Sequence, residues 1–336
     1  MWKDLMYDVA DIAEEWLPAL LFVLFASGAM YILFSNVIRE PAPPLRWRLP
    51  HSAEEVCIQG ENGEDLWYYT KGQGHTVILL HGAGTSSVQF SFLFKRLATK
   101  KIRVVAVDLR GHGHSGLGAG FSARMLADDI QRVMDDLGGT EGFTLVGFGL
   151  GGYAALAWRI FCKNEHVKNV KGIVLASGYA MLPTDNSALY IFKVLVSSGW
   201  IHFLWRNKRI ANSMSRLWFG RVATDSMLEE FRRTTLNCPH KVWARTLKGS
   251  QQDLRGFLPH IDTPCLIICG FQDVLYYSAQ ASLMLLGSKV GVAPKKVTLE
   301  NFGHSLMWEA PDKLTGILCE HLFPTPVDGQ ADVPAS

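Results

Sequence analysis

Five short stretches hold the residues that could do chemistry. Leu145 to Tyr153 reads LVGFGLGGY, an apolar run that reads as a strand over Phe143–Val146, then three spaced glycines, then a helical segment carrying Ala154, Ala155 and Ala157. His81-Gly82-Ala83-Gly84 closes the strand-like run Thr76–Leu80, and Asp108-Leu109-Arg110-Gly111-His112-Gly113-His114-Ser115-Gly116 closes Arg103–Val107. Gly270-Phe271-Gln272-Asp273 follows Cys265–Cys269, and Asn301-Phe302-Gly303-His304 precedes Glu309-Ala310-Pro311. Hydroxyl or thiol, imidazole and carboxylate are the side chains of nucleophilic and acid–base catalysis. Metal chemistry is disfavoured. His112 and His114 alternate, but no third ligand is spaced to join them, and the six cysteines at 57, 162, 238, 265, 269 and 319 form no CxxC pair.

In this order the five stretches resemble the motifs of the α/β-hydrolase fold family, including its membrane-anchored lipid-ester hydrolases. The HGxG loop, the D-x-R-G-x-G-x-S turn, the G-x-S-x-G nucleophile elbow, the G-x-x-D acid loop and the G-H loop all have counterparts. The resemblance covers roughly residues 50–323. It implies a mostly parallel sheet with helices on both faces and a site at the carboxyl ends of the strands. It also implies Asp273 as the acid, His304 as the base, and the backbone amides of Ala83 and Leu150 as an oxyanion hole.

The departure is at the elbow. Gly147 and Gly151 match the motif's outer glycines, but Gly149 occupies the place of the serine. The elbow residue is held at positive φ, a strain of roughly 1–3 kcal/mol that a glycine escapes. A protein no longer required to attack esters can relax this turn by losing its side chain, and proteins of the N-myc downstream regulated family likewise carry glycine there. Ser115 is expected to be a turn residue, Ser305 lies beside the site but off the elbow, and Cys265 and Cys269 read as core thiols. Two readings of function follow. One is a pseudoenzyme that binds an apolar or lipid-like ligand, or a protein partner. The other is a slow or non-serine hydrolase using a His304–Asp273 dyad as general base; that pair is equally consistent with a purely structural hydrogen bond.

The elements around these motifs divide the chain. Residues 1–15 are acidic, and residues 16–38 contain no charge; as a helix they reach roughly 34 Å, enough for a bilayer core of about 30 Å. A transmembrane anchor is predicted. Arg39, Arg46 and Arg48 follow it while only Lys3 precedes it, so the C-terminal domain is expected in the cytosol. Residues 39–50, with Pro41, Pro43, Pro44 and Pro50, read as an extended linker. Residues 51–323 form the hydrolase-like domain, opening with antiparallel strands Glu54–Ile58 and Leu66–Thr70, and residues 324–336 read as a disordered tail.

A helical cap is expected over residues 183–256, after a strand at Gly172–Ala176. Although the chain has a formal net charge of only +2, this stretch is rich in cations, among them Lys193, Arg206, Lys208, Arg209, Arg216 and Arg221. Trp200, Phe203, Trp205, Leu217, Trp218 and Phe219 are interleaved with them, a mix suited to an anionic lipid surface or, equally, to packing inside the cap. No cofactor, metal or nucleic acid is called for, because the glycine loops lack the lysine of a phosphate loop and no nucleic-acid motif appears.

Overall fold

A computed structural model of the chain describes residues 26, 27, 30, 44, 45, 47–98, 101–138, 142–162, 170–182 and 187–322. The predicted span at 16–38 and the predicted tail at 324–336 fall outside these residues, apart from Ala26, Ser27 and Met30. Among the described residues no helix is long and apolar enough to cross a membrane.

Eight strands make one sheet: β1 (Glu54–Gln59), β2 (Asp65–Gly72), β3 (His75–Leu80), β4 (Ile102–Val107), β5 (Phe143–Phe148), β6 (Val170–Ala176), β7 (Cys265–Gly270) and β8 (Lys295–Leu299). Their spatial order is β1-β2-β4-β3-β5-β6-β7-β8. The pairs β1/β2 and β2/β4 are antiparallel and every later pair is parallel. The central strands are continuous apolar runs because helices cover both faces. Alternate residues point to opposite sides. Ile78, Leu80, Val105 and Leu145 pack with helices Ala123–Leu137 and Leu150–Phe161, while Val77, Leu79, Val104 and Val146 pack with helices Ser91–Leu97 and Pro311–Leu322. Leu79 is fully buried, and its truncation to alanine costs about 2–5 kcal/mol.

Helix Ala123–Leu137 shows how local signals set an element. Ser122 caps it by accepting a hydrogen bond from Met125 N–H, and Gly138 ends it at φ 61°. Its apolar residues Leu126, Ile130, Val133 and Leu137 recur at the spacing that puts them on one buried stripe. β8 was not anticipated from the sequence. It is an edge strand whose KKVTL carries two lysines and no buried residue, so the apolar signal of a strand is absent.

Between β6 and β7 the described residues are helical: Ser187–Ser197, Trp200–Arg206, Lys208–Ser215, Asp225–Asn237 and His240–Gly249. Here the structure corrects part of the surface reading. Trp205 is fully buried, Phe219 is buried, and Trp218 faces a cavity, so these aromatics pack inward. Of the residues named for a lipid surface Leu217 is exposed, and the other exposed apolar side chains of this segment are Tyr190, Ile191, Val194, Ile210 and Val222. The linker is tied to the same segment: Trp47 N–H donates to Glu230 Oε1 at 2.9 Å, and Arg233 Nη1 donates to the Pro44 carbonyl at 2.7 Å.

Candidate active site

The elbow is a strand-to-helix turn, with β5 running to Phe148 and the helix starting at Leu150. Gly149 between them sits at φ 51°, ψ −110°, and its N–H donates to the Ala176 carbonyl at the end of β6. The flanking glycines are required by space. A Cβ on Gly147 would stand 2.3 Å from the Gly151 carbonyl oxygen, and one on Gly151 would stand 1.9 Å from that of Leu80. Gly149 is different. Its Cβ would meet His304 Nε2 at 3.4 Å and Gly82 Cα at 3.9 Å, which is the onset of ordinary contact. Packing at this position therefore leaves space for a side chain, although φ 51° strains any residue but glycine.

His304 and Asp273 are brought together from the loops after β8 and β7. His304 Nδ1 lies 2.8 Å from Asp273 Oδ2, while Asp273 Oδ1 accepts the Leu275 N–H at 2.8 Å. With both carboxylate oxygens engaged, Nδ1–H is the donor and Nε2 faces Gly149. The rings of Phe148 and Trp218 flank the imidazole at 5.0 and 5.4 Å.

Ala83 and Leu150 line one cavity with Gly149 and His304. Leu150 opens its helix, where N–H groups have no acceptor in the preceding turn. The loop carrying Ala83 is fixed by neutral imidazoles. Leu109 N–H donates to His81 Nε2, which leaves Nδ1–H to donate to the Gly82 carbonyl; Gly84 N–H donates to His112 Nε2, whose Nδ1–H donates to the Arg110 carbonyl. Burial holds both rings uncharged, pushing His81 well down and His112 to about 4. His114 points elsewhere, its Nδ1 hydrogen-bonded to the Tyr69 hydroxyl at 2.6 Å, so the alternating histidines do not share a site. Among the described residues no three histidine, cysteine or acidic side chains cluster as metal ligands.

Ser115, Cys265 and Cys269 are engaged in structure, whereas Ser305 lines the same cavity as Gly149 and His304. Ser115 donates to the Asp108 carbonyl and accepts from Trp67 N–H. Asp108 accepts the amides of Ser87 and His114. Cys265 donates to the Thr263 carbonyl and burial raises its thiol to about 12; burial raises Cys269 as well.

A cavity of about 70 Å³ joins these parts, lined by Gly82, Ala83, Gly149, Leu150 and His304 with an apolar wall that includes Phe148, Phe192, Trp218 and Trp243. Sequence reasoning did not assign this wall. Its one signal was Gly84, where at φ 72° a Cβ would stand 2.6 Å from the Trp243 ring. A larger cavity of about 500 Å³ lies between the linker and the loops at Ser86 and His114; it shares Thr85 but does not reach Gly149 or His304, so the chemistry belongs to the smaller one.

Glu309 is a further residue whose role the sequence did not reveal. Its carboxylate accepts Gly220 N–H at 2.6 Å and Gly303 N–H at 3.1 Å, pinning the end of the helical segment against the loop that carries His304. Burial is the largest influence on it and raises its pKa to about 7, against the lowering effect of those two amides.

The profile of the Alpha/beta hydrolase family matches residues 77–316. The chain is similar to the AB hydrolase superfamily protein YisY of Bacillus subtilis, 26% identical over 281 residues that cover 78% of this chain and 97% of that one. It is also similar to protein phosphatase methylesterase 1 of Bos taurus, 30% identical over 121 residues, covering 34% of this chain and 32% of that one. In three dimensions it resembles the esterase EaEST from Exiguobacterium antarcticum, with a TM-score of 0.68, 21% identity, and coverage of 80% of this chain and 99% of that one. At that identity the likeness speaks for the fold alone. With a profile match across most of its length, the chain belongs to the Alpha/beta hydrolase family.

Proposed function

We propose that this protein is a hydrolase-fold binding protein that has lost serine chemistry and holds an apolar or lipid-like ligand in the cavity beside His304. The observation that carries this reading is Gly149: the elbow, the dyad at 2.8 Å and the space for a side chain are all present, and the residue supplies no attacking oxygen. A covalent acyl intermediate needs that oxygen. The intact dyad supports a second reading, in which His304 Nε2 takes a proton from water or substrate without an acyl intermediate. In either case Asp273 orients the ring and Glu309 positions its loop.

In this proposal residues 16–38 anchor the protein in a membrane with the domain on the cytosolic side, and the helical cap at 183–256 lies against the same bilayer. Exposed Tyr190, Ile191, Val194 and Leu217, together with the cap's cations, support that docking. A chain lacking residues 1–40 is expected to bind anionic liposomes, and failure to bind removes the docking step. The central reading is tested with a serine-directed fluorophosphonate probe and short- and long-chain esters. No labelling and no turnover support the binding role. Turnover without labelling, abolished in His304→Ala, supports the base mechanism. Labelling of the natural protein sinks both.

A further inference from the structure

The linker does more than space the domain from what precedes it. An extended, proline-rich spacer has no need to bury side chains, yet Trp47 and Leu49 pack against the core cluster that contains Trp308. Trp47 sits where three helices meet. Its ring makes edge contacts with Phe92 of Ser91–Leu97 at 4.7 Å and with Trp308 of Leu306–Glu309 at 5.8 Å, and its N–H donates to Glu230 of Asp225–Asn237 at 2.9 Å. The Glu230 carboxylate is only 1% exposed, so losing this donor is costly. One turn further along the same helix, Arg233 donates to the Pro44 carbonyl at 2.7 Å.

These ties reach the site by two short routes. Phe231, beside Glu230, lines the cavity next to His304 and meets Trp308 at 5.5 Å. On the other route, Trp308 precedes Glu309, whose carboxylate holds Gly220 and the Gly303 that precedes His304. At roughly 10–15 Å³ for each water, a cavity of about 70 Å³ has room for a handful of waters, so a larger ligand needs its wall to move. We infer that the linker around Trp47 is a strap that holds helix Asp225–Asn237 closed against the cavity beside His304, and that ligand exchange requires Trp47 to leave its seat against Phe92 and Trp308. The strap governs access, whether the cavity binds a ligand or turns one over.

Two native side chains report its two halves. Cys238, just past the end of that helix, lines the larger cavity beneath Pro44, Leu45 and Leu49 and is 4% exposed, whereas His304 lines the smaller one. The full chain in nonionic detergent is treated with N-ethylmaleimide or with diethylpyrocarbonate, and the rate at each residue is read by peptide mass mapping. Exposed Cys57 and His260 calibrate the reagents, and buried Cys265 and His81 register global unfolding. Trp47→Ala is expected to speed modification of both Cys238 and His304 by about tenfold, through a larger population of the locally open state, with Cys265 and His81 unchanged. Trp47→Phe keeps a ring in the seat and the backbone N–H, and is expected to behave like the natural chain. Arg233→Ala, which removes the other tie, should give the same pattern to a smaller extent and decides the matter if Trp47→Ala does not fold. Faster Cys238 with unchanged His304 overturns the control of access, and no change at either residue in the folded variants overturns the strap itself. A rise at His304 only in step with His81 makes Trp47 an ordinary packing contact and overturns the inference as well.

Discussion

Replacing Gly149 by serine should create an attacking group in a site otherwise built for one. The steric cost is small for a buried turn, because a Cβ at 3.4 Å from His304 Nε2 asks for little movement, and the hydroxyl one bond further on can reach hydrogen-bond distance of that nitrogen. The larger cost is conformational. At φ 51° a non-glycine residue carries about 1–3 kcal/mol of strain, which at roughly 2–4 °C for each kcal/mol lowers the melting temperature by several degrees and leaves a folded protein. The gain is chemical. Triads that lose their serine lose several orders of magnitude in rate, so even a triad whose surroundings were never tuned should gain on the order of 10³-fold in turnover of a short ester. Fluorophosphonate labelling, ester hydrolysis and thermal melting of the natural chain, Gly149→Ser and Gly149→Ala measure these terms together. Gly149→Ala carries the strain without the oxygen and should melt like the serine variant while remaining inert. A folded Gly149→Ser that neither labels nor hydrolyses would refute the claim that everything but the oxygen is in place.

Other consequences follow from named contacts. Gly151→Ala should prevent folding or cost well over 3 kcal/mol by thermal or urea melting, since its Cβ would lie 1.9 Å from a backbone oxygen. Glu309 makes stability depend on pH with a definite sign. Its folded pKa of about 7 exceeds the ordinary 4.5, so the folded state holds the proton longer, and its contribution to stability falls as pH rises from about 4.5 to about 7, by on the order of 3 kcal/mol at most. Urea melts across that range should show the loss as a difference between the natural chain and Glu309→Gln, whose own curve lacks it. Arg233→Ala removes the donor to Pro44 together with a bond to the buried Glu229, which keeps Arg232, and should speed proteolytic cleavage within 44–50 while lowering global stability by about 1–3 kcal/mol in urea melts.

The sheet and the site were legible to different depths. The strands before four of the five motifs are apolar runs that end at glycine or a polar loop, so their positions, and with them Asp273, Ala83, Leu150 and Gly149, could be placed along the chain, whereas His304 rested on its Gly-His loop alone. β8 escaped because a solvated edge strand carries no apolar pattern. The cavity wall escaped for another reason. Trp218 and Trp243 come from helices whose aromatic residues face partly in and partly out, and sequence spacing gives no way to tell which ring meets His304 and which meets solvent. Glu309 was visible as part of a motif but mute as to role, because its partners are two backbone amides 89 and 6 residues away.

The contrast among the three elbow glycines is what turns an absent side chain into an argument about function. Gly147 and Gly151 are demanded by backbone oxygens 2.3 and 1.9 Å from where a Cβ would stand, so their identity says only that the turn is tight. Nothing comparable excludes a side chain at Gly149, where the surrounding atoms stand back to 3.4 Å and beyond. Packing therefore does not dictate this glycine, and relief of backbone strain is the one local benefit it brings. His304 is held by Asp273 on one side, and its loop is pinned by Glu309 on the other, so the imidazole stays oriented toward a turn that carries no attacking oxygen.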